Sequence, residues 1–357
     1  MKRFLKISSF ALATLTALFF LLVWLLNHHP DEIENSPITC PANAPILSKD
    51  QKVKVMSWNV QYMASKNYVF FYDQPGESGP DDRPSSKDIA FTIEEVGRVI
   101  QAINPDIILL QELDDNSKRT DYTDQLEALK TKISPKYNCF SQAYYHKSYF
   151  VPHPHIMGSV GMKLATLSRY RIGKAVRHQL AKIPNDFVTE QFNFKRAILE
   201  IRLPVQDAKD FVVFNTHLDA FAQGSNTMEL QVAEVIQLLN NAKKQGNKFV
   251  IGGDFNLLPP GGHEKLVNSE KIYFKKDTEI AKLYKLFPGL PTVDDTNGEE
   301  REKFFTHYPN GRATGPDRTI DYFFYHPDMK LESFLVRQED TLKISDHLPM
   351  IAEFMLE

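Results

Sequence analysis

The 357 residues include only two cysteines, Cys40 and Cys139, and only two tryptophans. So little cysteine excludes a disulfide-stapled miniature scaffold, and no Cys/His cluster has the spacing of a zinc site. An excess of one charge is lacking too. Lys+Arg totals 42 and Asp+Glu 45, a formal net charge of −3. Three of the bases, Lys2, Arg3 and Lys6, precede an apolar run; subtracting them leaves the remainder at about −6. Strong sequence-independent nucleic-acid binders are normally basic, so this balance speaks against that role. Internal repeats and low-complexity tracts are absent from the sequence. A 42% apolar fraction with 24% charged residues excludes disorder along most of the chain and a polytopic membrane protein. The length suits one large domain or two modest ones.

What is present first is a long apolar run. Residues 7–26 carry no charge. Twenty such residues as a helix rise roughly 30 Å, the hydrocarbon thickness of a bilayer. Positive charge precedes the run, while His28, His29, Asp31, Glu32 and Glu34 follow it. The positive-inside rule then places the N-terminus in the cytoplasm and the rest of the chain outside it, on the periplasmic or outer surface. A cleaved signal sequence is the rival; its apolar core is normally shorter and ends in small residues, whereas this run ends Val23-Trp24-Leu25-Leu26-Asn27. If residues 1–27 were cleaved, the protein would be secreted. A buried core helix is the third reading. Export would permit a Cys40–Cys139 disulfide, although the sequence does not place the two together.

Residues 28–51, with Pro30, Pro37, Pro41 and Pro45, read as a linker. Residues 52–357 read as one domain. Strands are expected over 52–60, 106–111, 162–168, 196–203, 211–216, 249–252, 319–325 and 348–355. Helices are expected over 87–103, 121–133 and 225–244, the first from Ile89, Ile93, Val96, Val99, Ile100 and Ile103 at helical spacing. Segments 66–86 and 258–316 read as loops rich in Gly and Pro. Strands linked by helices and strands in hairpin-like pairs together imply a mixed α/β fold.

Polar residues recur where these strands end. Asn59, Glu112, His217, Asp254 with Asn256, Asp321, and Asp346 with His347 all stand at such places. Ligand-binding groups of layered α/β folds converge there. One polar strand end is uninformative; six in one chain form a coherent set. Asn59, Glu112 and Asp346 are oxygen donors suited to a hard divalent cation. Clustered carboxylates repel one another unless a cation compensates, so Mg²⁺ or Mn²⁺ is expected rather than zinc.

The ordered segments Ser57-Trp58-Asn59-Val60, Leu110-Gln111-Glu112, Asn215-Thr216-His217-Leu218, Gly252-Gly253-Asp254-Phe255-Asn256, Thr319-Ile320-Asp321-Tyr322 and Ser345-Asp346-His347-Leu348-Pro349 carry a resemblance. The chain resembles the endonuclease/exonuclease/phosphatase superfamily, which includes DNase I, exonuclease III, neutral sphingomyelinases and inositol polyphosphate 5-phosphatases. The resemblance spans residues 53–355. It implies a four-layer α-β-β-α sandwich of two mixed β-sheets flanked by helices, here preceded by one transmembrane helix.

The resemblance also implies roles. Asn59, Glu112 and Asp346 would hold Mg²⁺. Asp254 would be the general base toward water, with Asn256 holding that water or a phosphate oxygen. His217 and His347 would donate hydrogen bonds to the transition state, and Asp321 would orient His347. These roles suit attack by water on an anionic phosphoester, where developing charge must be neutralised and a positioned base helps. One departure stands out. Some nuclease members carry Asp two residues after the Asn ligand, where this chain has Gln61. The metal then has one carboxylate fewer, or Gln61 supplies a neutral oxygen.

The resemblance implies a phosphoester substrate without choosing it. A membrane-anchored phosphoesterase acting on a lipid head group, a sphingomyelin-like lipid or another small phosphoester is one reading. An extracytoplasmic DNase I-like nuclease is the second, and a catalytically silent anchored binding module the third. The membrane itself is a partner through residues 7–26, and no protein partner is expected. Residues Tyr144 to Tyr170 belong near the site rim, a region that in the family often supplies a phosphate-contacting Tyr, Arg or His. Arg318 faces either the phosphate or Asp317. The aromatic run Tyr68 to Tyr72 stacks on bases, rests at a membrane interface, or packs under its own loop.

Overall fold

The computed structural model describes residues 2–220 and 222–356, with side chains from residue 6 onward. Met1 and Glu357, the outer ends of the expected anchor and catalytic domain, lie outside the described residues, as do the side chains of Lys2 and Arg3. The chain opens with helix α1, Lys2–Leu25. Within it Lys6–Leu25 is long and apolar enough to cross a membrane.

Two seven-stranded sheets follow. The first is centred on β3 (Gln51–Asn59), which runs parallel to β4 (Ile107–Asp114). On the β3 side lie β14 (Met350–Leu356) and β13 (Lys330–Val336). On the β4 side lie β6 (Gly158–Ser168), β5 (Cys139–Val151) and β2 (Ile38–Thr39). The second sheet is centred on β9 (Phe211–His217), parallel to β10 (Phe249–Asp254). Beside β9 stand β8 (Ala197–Leu203), β7 (Lys174–Gln179) and β1 (Ile33–Asn35). Beside β10 stand β12 (Asp321–Tyr325) and β11 (Gly289–Leu290).

Side chains alternate across a strand, and the apolar runs of β4 and β9 feed both faces. Val53, Val55, Ile107 and Leu109 point between the sheets and meet Leu199, Ile201, Val213 and Val250. Met56, Trp58, Ile108 and Leu110 point outward under helix α2 (Ser86–Ile103) and α3 (Gln125–Lys130). Val212, Phe214, Phe249 and Ile251 point outward on the other side, under helix α5 (Thr227–Lys244). A short helix, α4 (Phe187–Phe192), joins β7 to β8. The result is the expected four-layer sandwich. Helix α2 is delimited by the Ser85 side chain, which accepts from the Asp88 N–H, and by left-handed Asn104.

Several expectations are redrawn. The segment expected as a linker is laid along both sheets, contributing β1 and β2 and burying Leu47 completely. Cys40, beside β2, is disulfide-bonded to Cys139 at the start of β5. The helix expected over 121–133 is shorter because Asp124 caps it late, accepting from the N–H groups of Leu126 and Glu127. Strands β5, β7 and β13 were not expected; their polar residues hide the alternation that the ladder exposes. The loop 258–316 holds helices of only four or five residues.

A polar contact crosses the interior directly beneath the site. Gln111 donates Nε2–H to Asn215 Oδ1 at 2.7 Å. Asn215 in turn donates to the carbonyls of Leu110 at 3.1 Å and Ala165 at 2.9 Å. This ties β4 and β6 to β9 immediately below the strand ends that carry Glu112 and His217. Substituting Asn215→Ala should remove about 1–3 kcal/mol of stability, because it strips the Leu110 and Ala165 carbonyls of a buried donor and leaves Gln111 Nε2 only the longer 3.3 Å contact to Ser57 Oγ. A lowered urea midpoint at unchanged slope checks this; an unmoved midpoint refutes it.

Candidate active site

Backbone register assembles the centre. In the second sheet Asp254 is paired with His217 on β9 and with Asp321 on β12, so three functional groups stand in one row. Gly253 permits this row. Its φ is +151°, and a Cβ there would lie 2.0 Å from the Thr216 carbonyl oxygen. In the first sheet Asn59 is paired with Gln111, and Glu112 follows directly. The ladder between β4 and β6 is irregular between Leu110 and Leu113, and Glu112 has φ +57°. This bulge re-aims Glu112 toward the cleft, a common use of such strain at functional positions.

The two rows meet at Asp254 Oδ2. It accepts from Asn59 Nδ2 at 3.1 Å and lies 3.3 Å from His217 Nε2 and 3.5 Å from His347 Nε2. Asn59 Nδ2 also donates to Glu112 Oε1 at 3.0 Å. Asp321 Oδ2 is 2.9 Å from His347 Nδ1. Trp58 Nε1–H donates to the His347 carbonyl at 2.9 Å, and Ser345 Oγ–H to the Asn59 carbonyl at 2.8 Å. Asn256, with φ +52°, donates its backbone N–H to Asp254 Oδ1 at 2.9 Å and its Nδ2–H to the Leu218 carbonyl at 3.1 Å.

Six of the eight predicted side chains therefore form one contact network. Asn256 adjoins it through its backbone. Asp346 adjoins through its neighbour His347 and lies 4.0 Å from His307 Nε2. Gln61 turns its oxygen to the Asp346 N–H at 3.3 Å, so it holds the Asp346 backbone. Arg318 pairs with Asp317 at 2.7 Å and Glu270 at 2.9 Å, which settles its two readings in favour of the ion pair. The aromatic run packs within its own loop: Phe70 is buried, stacks on Tyr68 and Tyr72, and Phe71 stacks on His155.

Three further residues stand at the site, of which Tyr145 is one of several candidates at the expected rim. Tyr145, within the segment expected at the rim, brings its hydroxyl 3.3 Å from His217 Nδ1. His307 packs its ring edgewise on His347, centroids 4.7 Å apart. Arg196 is buried 3.4 Å from Asp219, with its Nη1 unpartnered. Arg196 immediately precedes β8, which runs antiparallel to β9 and so begins beside the end that carries His217. A polar residue at the start of such a strand is the signal that finds it.

The electrostatics separate the two histidines. Burial and the charges of Arg196 and His347 push His217 well below the usual imidazole range. Burial also opposes charge on His347, but Asp321, Asp254 and Asp346 outweigh it and hold His347 well above that range. Asp254 is pushed up to about 7, chiefly by burial, with Asp321 and Glu112 adding to it and His347 opposing. Glu112 is raised by burial and by Asp346, against its hydrogen bond from Asn59.

Buried carboxylates held above their ordinary range are what a cation would relieve. The expected donors, the Glu112 and Asp346 carboxylates and the Asn59 amide, are of the chemistry a hard divalent ion takes, and both cysteines are taken up in the disulfide. Ligand atoms of Glu112, His217 and Asp254 lie within 4.8 Å of one another, as do those of His307, Asp346 and His347. Asn59 turns its amide nitrogen toward the carboxylates and its oxygen to the Gln61 N–H at 3.0 Å.

A four-layer sandwich whose strand ends gather paired acids and imidazoles is the frame of a phosphoester-cleaving class. The chain belongs to the Endonuclease/Exonuclease/phosphatase family, whose model matches residues 56–347. Members of this family are hydrolases acting on phosphoester bonds and generally use divalent metal ions. Similar solved structures share the fold. An endonuclease/exonuclease/phosphatase from Beutenbergia cavernae is 21% identical with TM-score 0.58, over 86% of this chain and 72% of that one. The human Nocturnin catalytic domain with bound sulfate is 16% identical with TM-score 0.52, over 89% and 96%. A family member from Leptotrichia buccalis is 14% identical with TM-score 0.52, over 85% and 99%. No curated protein matches the sequence.

The raised and lowered imidazoles give a direct test on metal-free protein. His347, raised, should keep its proton as pH climbs past 6.5, and His217, lowered, should stay neutral as pH falls below it. Ring-nitrogen chemical shifts between pH 5 and 8 report this. A His347 titrating at or below 6.5 would contradict the assignment.

Proposed function

We propose that this protein is a membrane-anchored, Mg²⁺-dependent phosphoesterase that directs water onto a lipid head group or another small phosphoester. The observation that carries the proposal is Asp254, a carboxylate near neutrality between two imidazoles of opposite charge preference. Asp254 takes the proton of the attacking water; a base poised near the working pH contributes typically about 10²–10⁴-fold. Asn256 holds that water or a phosphate oxygen. His347, kept charged by Asp321 on Nδ1, donates from Nε2 to the substrate oxygen that gains charge. His217, oriented by Tyr145, donates beside it. Glu112, Asn59 and Asp346 would hold Mg²⁺, or Mn²⁺ in its place. When bound, that ion supplies Lewis-acid charge neutralisation.

A small anionic substrate is favoured over a long polyanion by the state of the nearby cations. Arg119 is bound to Asp114 at 2.7 Å, and Arg318 to Asp317 and Glu270. Arg196 is covered by the Phe194 and Tyr145 rings and paired with Asp219, so it adds no open cation for a second phosphate. Nuclease activity is the second reading, because the family includes nucleases. The Cys40–Cys139 disulfide supports placement outside the cytoplasm, where such bonds persist. The basic residues at the start of α1, Lys2, Arg3 and Lys6, support an N-terminus inside.

The deciding experiment incubates the protein with Mg²⁺ and, separately, sphingomyelin vesicles, phosphatidylinositol vesicles, inositol phosphates, plasmid DNA and single-stranded RNA. Turnover of a lipid or small phosphoester is expected, lost in Asp254→Ala and in EDTA. Nucleic-acid cleavage with the same dependence would replace this reading by the nuclease. Undiminished turnover in EDTA would remove the metal from the proposal. Glu112→Ala should lose activity at low Mg²⁺ and recover part of it at high Mg²⁺. A loss that no Mg²⁺ concentration relieves would argue against Glu112 as a ligand.

A further inference from the structure

The apolar helix does not end in a loose tether. Asn27 Nδ2–H donates to the Val23 carbonyl at 2.7 Å and closes the last turn of α1. The chain then pairs at once with β5: Tyr149 N–H donates to the Leu26 carbonyl at 2.8 Å, and His28 N–H to the Lys147 carbonyl at 3.2 Å. The His29 ring stacks on Trp24, centroids 4.8 Å apart. The end of the span and the end of β5 are thus one hydrogen-bonded unit.

A second contact lies deeper. The Phe187 ring of α4 packs edgewise on Phe20 of α1, centroids 5.7 Å apart. Phe20 stands five residues before Leu25, about 7–8 Å back along the helix at ~1.5 Å per residue. If the apolar stretch Lys6–Leu25 fills a hydrocarbon layer of roughly 30 Å, Phe20 lies inside that layer. A ring packed against it lies at the same depth. α4 is also firmly held from the protein side. Asp186 caps its start, accepting from the N–H of Val188 at 3.0 Å. Lys195 Nζ donates to the Gln191 carbonyl at 2.8 Å, and His146 Nε2 of β5 lies 3.0 Å from the Phe192 carbonyl. Phe187 is 53% exposed and Tyr149 66% exposed in the protein alone, an aromatic surface that water would otherwise wet.

We infer that α4 and the Tyr149 end of β5 are seated in the acyl–headgroup boundary of the same bilayer that α1 crosses, so that the globular part rests on the lipid in one fixed orientation. The inference rests on the anchor reading of α1. Its occupant is the bilayer: Phe187 faces acyl chains, and Lys182, Asn185 and Asp186 beside it reach the headgroups. Tyr149 takes the interfacial position aromatics favour. The arrangement also sets a distance. Tyr145, which touches His217, precedes Tyr149 by four residues, about 13 Å at ~3.3 Å per residue. The site rim is held that close to the lipid surface without a flexible arm between.

The test uses the full chain, disulfide intact, reconstituted in phosphatidylcholine vesicles. Single substitutions Leu15→Cys in the span, Phe187→Cys on α4 and Phe91→Cys on exposed α2 each carry an environment-sensitive thiol dye. Brominated phosphatidylcholine is the quencher. Blue-shifted, quenched emission at positions 15 and 187, with position 91 aqueous, is the expected result. Quenching at 15 with position 187 behaving like 91 overturns the inference and leaves the anchor standing. Quenching at neither position overturns both. Phe187→Trp in a Trp24→Phe background, read by the same brominated lipid without a dye, gives the result if the thiol variant fails to fold.

Discussion

One carboxylate oxygen, Asp254 Oδ2, meets Asn59 from one sheet, His217 from its own sheet and His347 from the loop before β14. The rest of the centre depends on that meeting. Burying a carboxylate without partners is costly, and these donors are what make its burial tolerable. They arrive from segments separated by up to 288 positions, residues 59 to 347. The site therefore exists only when both sheets are packed, and it cannot be preformed in either half.

The layers below serve that meeting. Alternating side chains of β3, β4, β9 and β10 fill the space between the sheets and the spaces under α2 and α5, which fixes the strand ends at one level. Gln111 and Asn215 then act as a polar pin through the apolar interior, one turn of the ladder beneath Glu112 and His217. Two positive backbone angles stand at the rim itself. Glu112 and Asn256 both adopt them, and both would aim elsewhere in regular strand geometry.

Much of this was legible in the sequence because function and strand ends coincide. Asn59, Glu112, His217, Asp254, Asp321 and His347 each follow or open an apolar run, so short motifs located both the element and the group. The apolar runs pointed to a mixed α/β fold, and the family resemblance to the four-layer sandwich. What was hidden had no such run beside it. β5 reads Cys-Phe-Ser-Gln-Ala-Tyr-Tyr-His-Lys-Ser-Tyr-Phe-Val, whose inward faces are small or polar, and so Tyr145 could not be aimed from sequence. His307 lies in a loop whose path only the assembled fold defines. The prolines of 28–51 suggested a spacer; pairing to β7 and β5 and the bond to Cys139 are long-range facts that local composition does not encode.

The cross-strand row of His217, Asp254 and Asp321 has a consequence for how such a protein can change over generations. Because side chains alternate, adding or deleting one residue within β9, β10 or β12 would rotate that member of the row to the opposite face and dismantle the centre in one step. Length variation is consequently barred from the strands and channelled into the connections, above all 258–316 between β10 and β12. That stretch is tied to the row where β11 pairs with β12 and where Thr306 accepts from the Asp321 N–H, and it is free of register between those points. New selectivity can be acquired there by insertion, with the inherited chemistry underneath left untouched.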